Sequence, residues 1–299
     1  MGGKLLPLRD AVRNLVGDGD TVALGGWVIA RCVVAAVHEL IRQRRKGLTV
    51  CQGLSGFDTD LLAGAGCVRR LVTAGGSLDA FGRLNRINDL SAAGKLEVEE
   101  NSALGMASRF LAGSLGVPFM PTRGLLGSSI LDGLQAGSSA AVEKSPFTGE
   151  QVVLLRALTV KTAIIHVQRA DEEGNAQILG PLWDTLQIVG SAERVLLTAE
   201  EIVQTSEIRK APEKTLIPGF RVASVSPVPF GSYPTSCYDW YDYDAEHLRM
   251  YSAAAATADG FEGYLRDNVT GQDSFEGFLN ARCPPARRER LRAKAGRGY

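Results

Sequence analysis

Few histidines, few cysteines and no long apolar run set the outer limits of what this chain does. Its five cysteines, Cys32, Cys51, Cys67, Cys237 and Cys283, are odd in number and nowhere form a C-x-x-C pair. That excludes a disulfide-stapled scaffold and points to a reducing cytoplasm, with thiols serving as small buried apolar groups. With only three histidines, His38, His166 and His247, and no H-E-x-x-H spacing, a resident metal is not expected. G-x-S-x-G is missing, and so is G-x-x-x-x-G-K-S/T. A dinucleotide fingerprint beginning at Gly25 would need glycine in place of Trp27 and Ala30. These absences make ATP and GTP poor guesses and leave no serine-hydrolase elbow, and nothing in the sequence requires nicotinamide or flavin. No stretch is long enough to span a membrane, and Met1-Gly2-Gly3-Lys4 runs into a helical pattern, not a signal peptide. Leu6 stands where N-myristoylation needs Ser or Thr. Charge of one sign is also lacking: Lys plus Arg and Asp plus Glu are 33 each, so nucleic acid is not an expected partner. The one basic cluster, Arg287, Arg288, Arg290, Arg292, Lys294 and Arg297, reads as a solvated or frayed tail.

What is present is an alternation of apolar runs and glycine stops. Leu8 to Val16 has helical spacing, Thr21-Val22-Ala23-Leu24 is a compact strand closed by Gly25-Gly26, and Val33 to Ile41 repeats at helical period. Leu48-Thr49-Val50-Cys51 follows as a strand, which makes a βαβ unit and demands parallel pairing. Val68 to Thr73, Val152 to Leu155, Thr162 to Val167, Arg194 to Thr198 and Val222 to Val225 read as further strands. A helix is predicted over Ala103 to Ala112, and Val117 to Pro121 begins an extended piece. The fold class expected is α/β: an open, mostly parallel sheet with helices on both faces and a helical C-terminal segment. One domain spans 1–299, of which about 245–299 forms a helical extension and basic tail.

Several turns stand where chemistry is usually placed. Gly25-Gly26-Trp27, Gly53-Leu54-Ser55-Gly56, Gly75-Gly76-Ser77 and Gly127-Ser128 each follow an apolar run. Turns at the carboxyl ends of parallel strands converge on one crevice, and free N–H groups there suit a phosphate or carboxylate. Glu97, Glu99 and Glu100 precede Asn101-Ser102; paired carboxylates can do acid–base work, but by themselves these residues read better as a charged helix start. His166 and Gln168 close an apolar strand, where a histidine is more often a satisfied half-buried side chain than a base. The segment Pro229 to Asp244 is too rich in Gly and Pro for regular structure and too aromatic for a solvated linker. A rigid loop of that kind serves a site or an interface. By themselves these residues reach an α/β protein with an anion-accepting crevice.

An ordered set of segments goes further. Gly19-Asp20-Thr21-Val22-Ala23-Leu24-Gly25-Gly26, Leu115 to Pro121, Ser145-Pro146-Phe147-Thr148-Gly149-Glu150 and Ala163 to Gln168 are followed by Thr198 to Ile202, Ile217-Pro218-Gly219-Phe220 and Gly231 to Asp244. In this order the chain resembles the class I CoA-transferases, specifically their A (alpha) subunits of the glutaconate type. The resemblance implies a polypeptide that pairs with a B (beta) subunit, commonly as an A2B2 heterotetramer, in the cytoplasm. It implies transfer of coenzyme A, a co-substrate and not a bound cofactor, between an acyl-CoA and a carboxylic acid, a dicarboxylic one in the type family. The nucleophilic glutamate then lies on the partner, and no catalytic residue is expected here. Gly25, Gly26, Gly53, Ser55 and Gly56 are implied site neighbours, with hydroxyls of Ser55, Ser77 and Ser128 suited to a carboxylate. Trp27 and Phe57 depart from the small turns of that family. Two alternatives remain open. One is a same-fold ring-opening hydrolase or decarboxylase subunit, which would draw on Glu99 or Glu100, since Ala103 stands near the glutamate of that hydrolase branch. The other is a non-catalytic acyl-CoA-binding or scaffold subunit.

Overall fold

The protein is described as a computed structural model covering residues 3–295; Arg297 of the basic cluster lies outside the described residues. Among the described residues, twelve strands and twelve α-helices alternate along the chain. The first strands are β1 (Thr21–Leu24), β2 (Leu48–Gln52), β3 (Val68–Thr73) and β4 (Glu97–Glu100). They are separated by α2 (Val34–Arg42), α3 (Phe57–Gly64) and α4 (Asn85–Ala92), with α1 (Leu8–Leu15) ahead of β1. After α5 (Ala103–Leu115) come β5 (Phe119–Thr122), α6 (Ser129–Ala136), β6 (Ala140–Lys144) and β7 (Gln151–Arg156). The chain returns through β8 (Val160–Ala170), β9 (Ala176–Gln177), α7 (Thr185–Ser191) and β10 (Ala192–Ile202). It continues through α8 (Thr205–Ile208), β11 (Thr215–Ile217) and β12 (Val222–Pro227), and ends in α9 (Ala245–Ala255), α10 (Ala258–Leu265), α11 (Phe275–Arg282) and α12 (Pro285–Ala295).

Seven strands pair in parallel in the order β4-β3-β2-β1-β8-β10-β12, and β9 with β11 extends the end of β8 antiparallel. From β1 the chain winds outward to β4, then returns to β8 on the other flank of β1. The order therefore reverses between β1 and β8, and in open α/β sheets that switch opens a crevice at the carboxyl ends of the strands. Alternate side chains feed two cores. Val22, Leu24, Val50 and Leu71 face one side with α1–α3 and the C-terminal helices. Ala23, Cys51, Val72 and Ile165 face the other side with Met106 and Phe110 of α5 and Ile188 of α7. Helices cover both faces, as buried parallel strands require. Helix α2 lies between the sheet and the C-terminal helices, so every residue from Val34 to Ile41 is buried. His38 is caught there against Phe275 and Phe278, with neither ring nitrogen hydrogen-bonded.

Three expectations need correction. Glu97–Glu100 is not a helix start but edge strand β4, paired with β3, and α5 begins later, where Ser102 accepts the Gly105 N–H at 3.0 Å. A second sheet, antiparallel β5-β7-β6, has no counterpart in the single sheet expected. It packs with α6 around Leu131, Leu134, Val153 and Leu155. The basic cluster is also more than a solvated tail. Arg287 of α12 pairs with Asp244 at 2.5 Å, and Arg288 and Arg292 lie over the Phe230 ring at 5.9 and 5.0 Å. All five cysteines are free and buried.

Candidate functional site

The turns after β1, β2 and β3 converge at the carboxyl edge. Ala74 N–H donates to Gly53 O at 3.0 Å, Ser55 N–H to Gly75 O at 2.9 Å, and Phe57 N–H to Val28 O at 3.1 Å. Residues Trp27 to Ala30 close on themselves, Trp27 N–H to Ala30 O at 2.9 Å and Ala30 N–H to Trp27 O at 2.8 Å. Gly26 has φ +90, and a side chain there would strike the Arg31 carbonyl at 2.5 Å, so glycine is required twice over. Gly56 and Gly76 face backbone oxygens of Val28 and Ser55 with no room for a Cβ. Thus Gly25, Gly26, Trp27, Gly53, Ser55, Gly56, Gly76 and Ser77 share one rim. The Ser55 hydroxyl is already engaged with Thr73 Oγ1 at 3.0 Å, and Ser77 Oγ receives the Asp79 N–H at 3.0 Å.

A segment that sequence reasoning passed over completes this rim. The loop ahead of α7 brings Trp183 parallel to Trp27, ring centroids 6.0 Å apart. Beneath it Arg31 is buried, donating to Pro181 O at 3.1 Å, Thr185 Oγ1 at 3.2 Å and His166 O at 3.3 Å, with its guanidinium 5.5 Å from the Trp183 ring centre. Asp184 is 6% exposed, and its Oδ2 has no hydrogen-bond partner. A Cβ on Gly53 would overlap that oxygen and approach the Trp27 ring at 3.0 Å. Burial pushes the Asp184 carboxyl up to about 6, against the pull of its own N–H and of Arg31. Burial likewise lowers the Arg31 guanidinium to about 10. Val28, Arg31 and Trp183 all have positive φ, of 57, 52 and 47. Such conformations cost about 1–3 kcal/mol each and gather at sites whose surroundings impose them. The signal available in the sequence was the Gly180-Pro181 turn running into Trp183-Asp184.

The other candidates lie elsewhere and are engaged. Strand β8 runs on past the last β1 pairing, Leu24 with Ile164, so His166 and Gln168 stand on an overhang beside β10. Gln168 donates to Leu179 O and Tyr238 O at 3.0 and 3.1 Å and accepts the Leu179 N–H at 3.2 Å. The His166 ring bonds Thr198 Oγ1 at 2.9 Å and Glu200 Oε1 at 2.8 Å. Glu200 also accepts Phe230 N–H at 2.7 Å, Gly231 N–H at 3.1 Å and the Tyr241 hydroxyl at 2.6 Å, which fixes the Pro229–Asp244 loop. Donor atoms of His166, Glu200 and Cys237 lie within 4.8 Å of one another. Coordination there would displace bonds that already satisfy the histidine and the glutamate. Gly127 and Ser128 belong to the second sheet layer, where Ser128 caps α6 by accepting the Leu131 N–H.

The two candidate carboxylates separate clearly. Glu99 is buried, paired with Arg109 and with Arg70 at 2.5 Å, and accepts the Ser139 hydroxyl at 2.7 Å. Burial would raise its pKa, but those partners hold it at about 2. It clasps the two sheets together. Glu100 is exposed at the end of β4.

Known proteins bear on this geometry. The sequence profile of the family described as Coenzyme A transferase matches residues 7–227. The chain is 33% identical to the A subunit of glutaconate CoA-transferase from Acidaminococcus fermentans, over 99% of this chain and 97% of that one. It is 32% identical to the A subunit of 3-oxoadipate CoA-transferase from Pseudomonas knackmussii, over 92% and 96% of the two chains. An uncharacterized protein of Archaeoglobus fulgidus is 36% identical over 98% of this chain, which spans 65% of that protein's length. The crystal structure of the Acidaminococcus fermentans glutaconate CoA-transferase superposes with a TM-score of 0.93 at 31% identity, covering 96% of this chain and 95% of that one. A cholesterol ring-cleaving hydrolase subunit of Mycobacterium tuberculosis is 29% identical over 92% of this chain and 96% of that one. The decarboxylase AibA/AibB superposes with a TM-score of 0.77 at 29% identity, over 87% and 97% of the chains.

Proposed function

The chain belongs to the coenzyme A transferase family, and on that premise we propose that it is the A (alpha) subunit of a heteromeric enzyme moving CoA between an acyl-CoA and a carboxylic acid. Residues 1–299 act as one domain, joined to a B subunit in an A2B2 assembly in the cytoplasm. Coenzyme A enters and leaves as a substrate. Gly25, Gly26, Trp27, Gly53, Ser55, Gly56, Gly76 and Ser77 form this chain's wall of the crevice.

One observation carries the reading. The rim at the strand switch offers shape and backbone turns but no nucleophile paired with a base. Glu99 is held by two arginines, Glu200 accepts four hydrogen bonds, and the Asp184 carboxyl lies under Trp27 against Gly53. A reactive carboxylate brought by the partner completes the chemistry. It attacks the thioester carbonyl and forms an acyl–glutamyl anhydride, releasing CoA thiolate. The thiolate then returns to give a glutamyl–CoA thioester and a free acid, and the acceptor carboxylate repeats the exchange. Two facts support transfer over ring-opening hydrolysis: Ala103 carries no carboxylate, and Glu99 is not available as a base.

Co-expression with the partner and incubation with acyl-CoA lacking acceptor should leave a hydroxylamine-sensitive CoA adduct on the partner, detected by mass spectrometry. Turnover of acyl-CoA by the purified single chain would contradict the assignment. So would a competent complex that never forms the adduct.

A further inference from the structure

We propose that the outward face of α5, with β5 and the first turn of α7, is where the B subunit seats on this chain, through an uncharged apolar face of its own. The inference rests on the CoA-transfer reading and adds to it the place where the partner stands. Across α5, β5 and α7 the single charged residue is Arg109, and it points inward, buried and paired with Glu99. Met106 and Phe110 of α5 fill the core against the sheet. Leu104, Leu111 and Leu115 face outward instead, 65, 37 and 63% exposed. Their i, i+7, i+11 spacing makes them one stripe along the helix. Phe119 of β5 and Leu186 of α7 are exposed as well. A surface helix turns charge to the solvent, whereas one that is apolar all round is a covered helix. A contiguous bare apolar face of this kind marks an interaction site.

Position names the occupant. Helix α5 springs from the carboxyl end of β4, where Asn101 N–H donates to Thr73 O at 2.9 Å and Thr73 Oγ1 meets the Ser55 hydroxyl of the rim. Helix α7 starts at Asp184, which is packed against Gly53 of the same rim. The two helices then run side by side, and Gly190 has no room for a Cβ against Ser114 near their far ends. Leu104 and Leu186 therefore stand in the two first turns that border the crevice. A partner whose carboxylate enters that crevice rests on the surface beside it, and this stripe is the apolar surface that begins there. A second copy of this chain on the stripe would stand in that partner's way. The want of charge also fits a permanent subunit contact better than a transient encounter, since obligate interfaces are the more apolar ones.

The test uses the full chain co-expressed with the B subunit. Leu111→Arg places a charge in the middle of the stripe, on a side chain already part-exposed, so the variant keeps wild-type circular dichroism. Burying that unpaired charge should weaken association with the B subunit about 100-fold or more, read by sedimentation. Met250→Arg, equally exposed on α9 across the main sheet, should leave association unchanged. Equal association for Leu111→Arg and wild type, or equal weakening by Met250→Arg, overturns the proposal. Leu111→benzoylphenylalanine, irradiated in the assembled complex, identifies the occupant without perturbing charge. A cross-link to the B subunit supports the proposal; a cross-link to a second copy of this chain, or none, overturns it. A wild-type complex that assembles but transfers no CoA refutes the proposed reaction alone, and the cross-link still decides this inference. A wild-type chain that assembles with no B subunit sinks both.

Discussion

Two glycine- and aromatic-rich regions of this molecule look alike in sequence and behave oppositely in the fold. Most polar groups of the Pro229–Asp244 loop are engaged, the buried Ser232 Oγ excepted: Glu200 gathers His166, Phe230, Gly231 and Tyr241, while Tyr233 donates to Asp244 at 2.8 Å. Phe230 and Tyr241 stack at 4.3 Å within it. The rim around Trp27, Gly53 and Trp183 instead has a carboxyl oxygen without a partner and part-exposed indoles. Composition marks both as irregular and rigid. Glu200 makes the loop a keystone, a property of the folded chain that composition does not show.

The comparison can be broken at either end. Glu200→Ala should have the largest effect, because it strands two amide N–H groups, a tyrosine hydroxyl and a histidine in the interior. A loss of about 3–5 kcal/mol is expected, read by urea denaturation; a loss under about 1 kcal/mol would remove the keystone role. Gly53→Ala should act on function first. Its methyl meets the Asp184 carboxylate and the Trp27 ring, so kcat/KM of the complex should fall about tenfold or more, while overpacking lowers stability by about 1–3 kcal/mol. Full activity in that variant would detach Gly53 from the site.

Acid stability sharpens the contrast through a slope in pH. Burial, with Arg42 and His247 nearby, keeps His38 neutral well below its usual value of 6.5, and burial takes His247 down to about 3. Unfolded, both bind protons near 6.5. Their stabilisation is therefore complete above that pH and declines as pH falls, by about 1.4 kcal/mol per pH unit for each histidine. Asp60 and Asp184, raised to about 6, oppose the decline between about pH 6 and 4. His38→Phe should flatten the stability profile between pH 6.5 and 4, and an unchanged slope would show that His38 is protonated in the fold.

The sheet was legible because its strands are short apolar runs closed by glycines, as at Leu24-Gly25-Gly26 and Cys51-Gln52-Gly53. Strand β4 was not legible, since Glu97-Val98-Glu99-Glu100 has helix-start composition and only Arg70 and Arg109 make burial of Glu99 tolerable. Strand β6 is a mostly exposed edge, so no apolar alternation announces it. Half of the rim could be read from the glycine turns. Trp183 and Asp184 were marked only by the Gly180-Pro181 turn, and nothing local places that turn beside β1 and β2, because it joins the rim through the crossover from β8 to β10. His166 and Gln168 sit in the right strand but beyond its shared register, a displacement set by the unequal lengths of β1 and β8.

The five sequestered thiols make the chain its own opening clock. Cys237 reports from within the aromatic loop, Cys51 from the middle of the sheet and Cys283 from the junction of the last two helices. A thiol-reactive dye can reach each one only when that neighbourhood comes apart, so alkylation rates, resolved cysteine by cysteine, would rank how readily the parts of the molecule breathe.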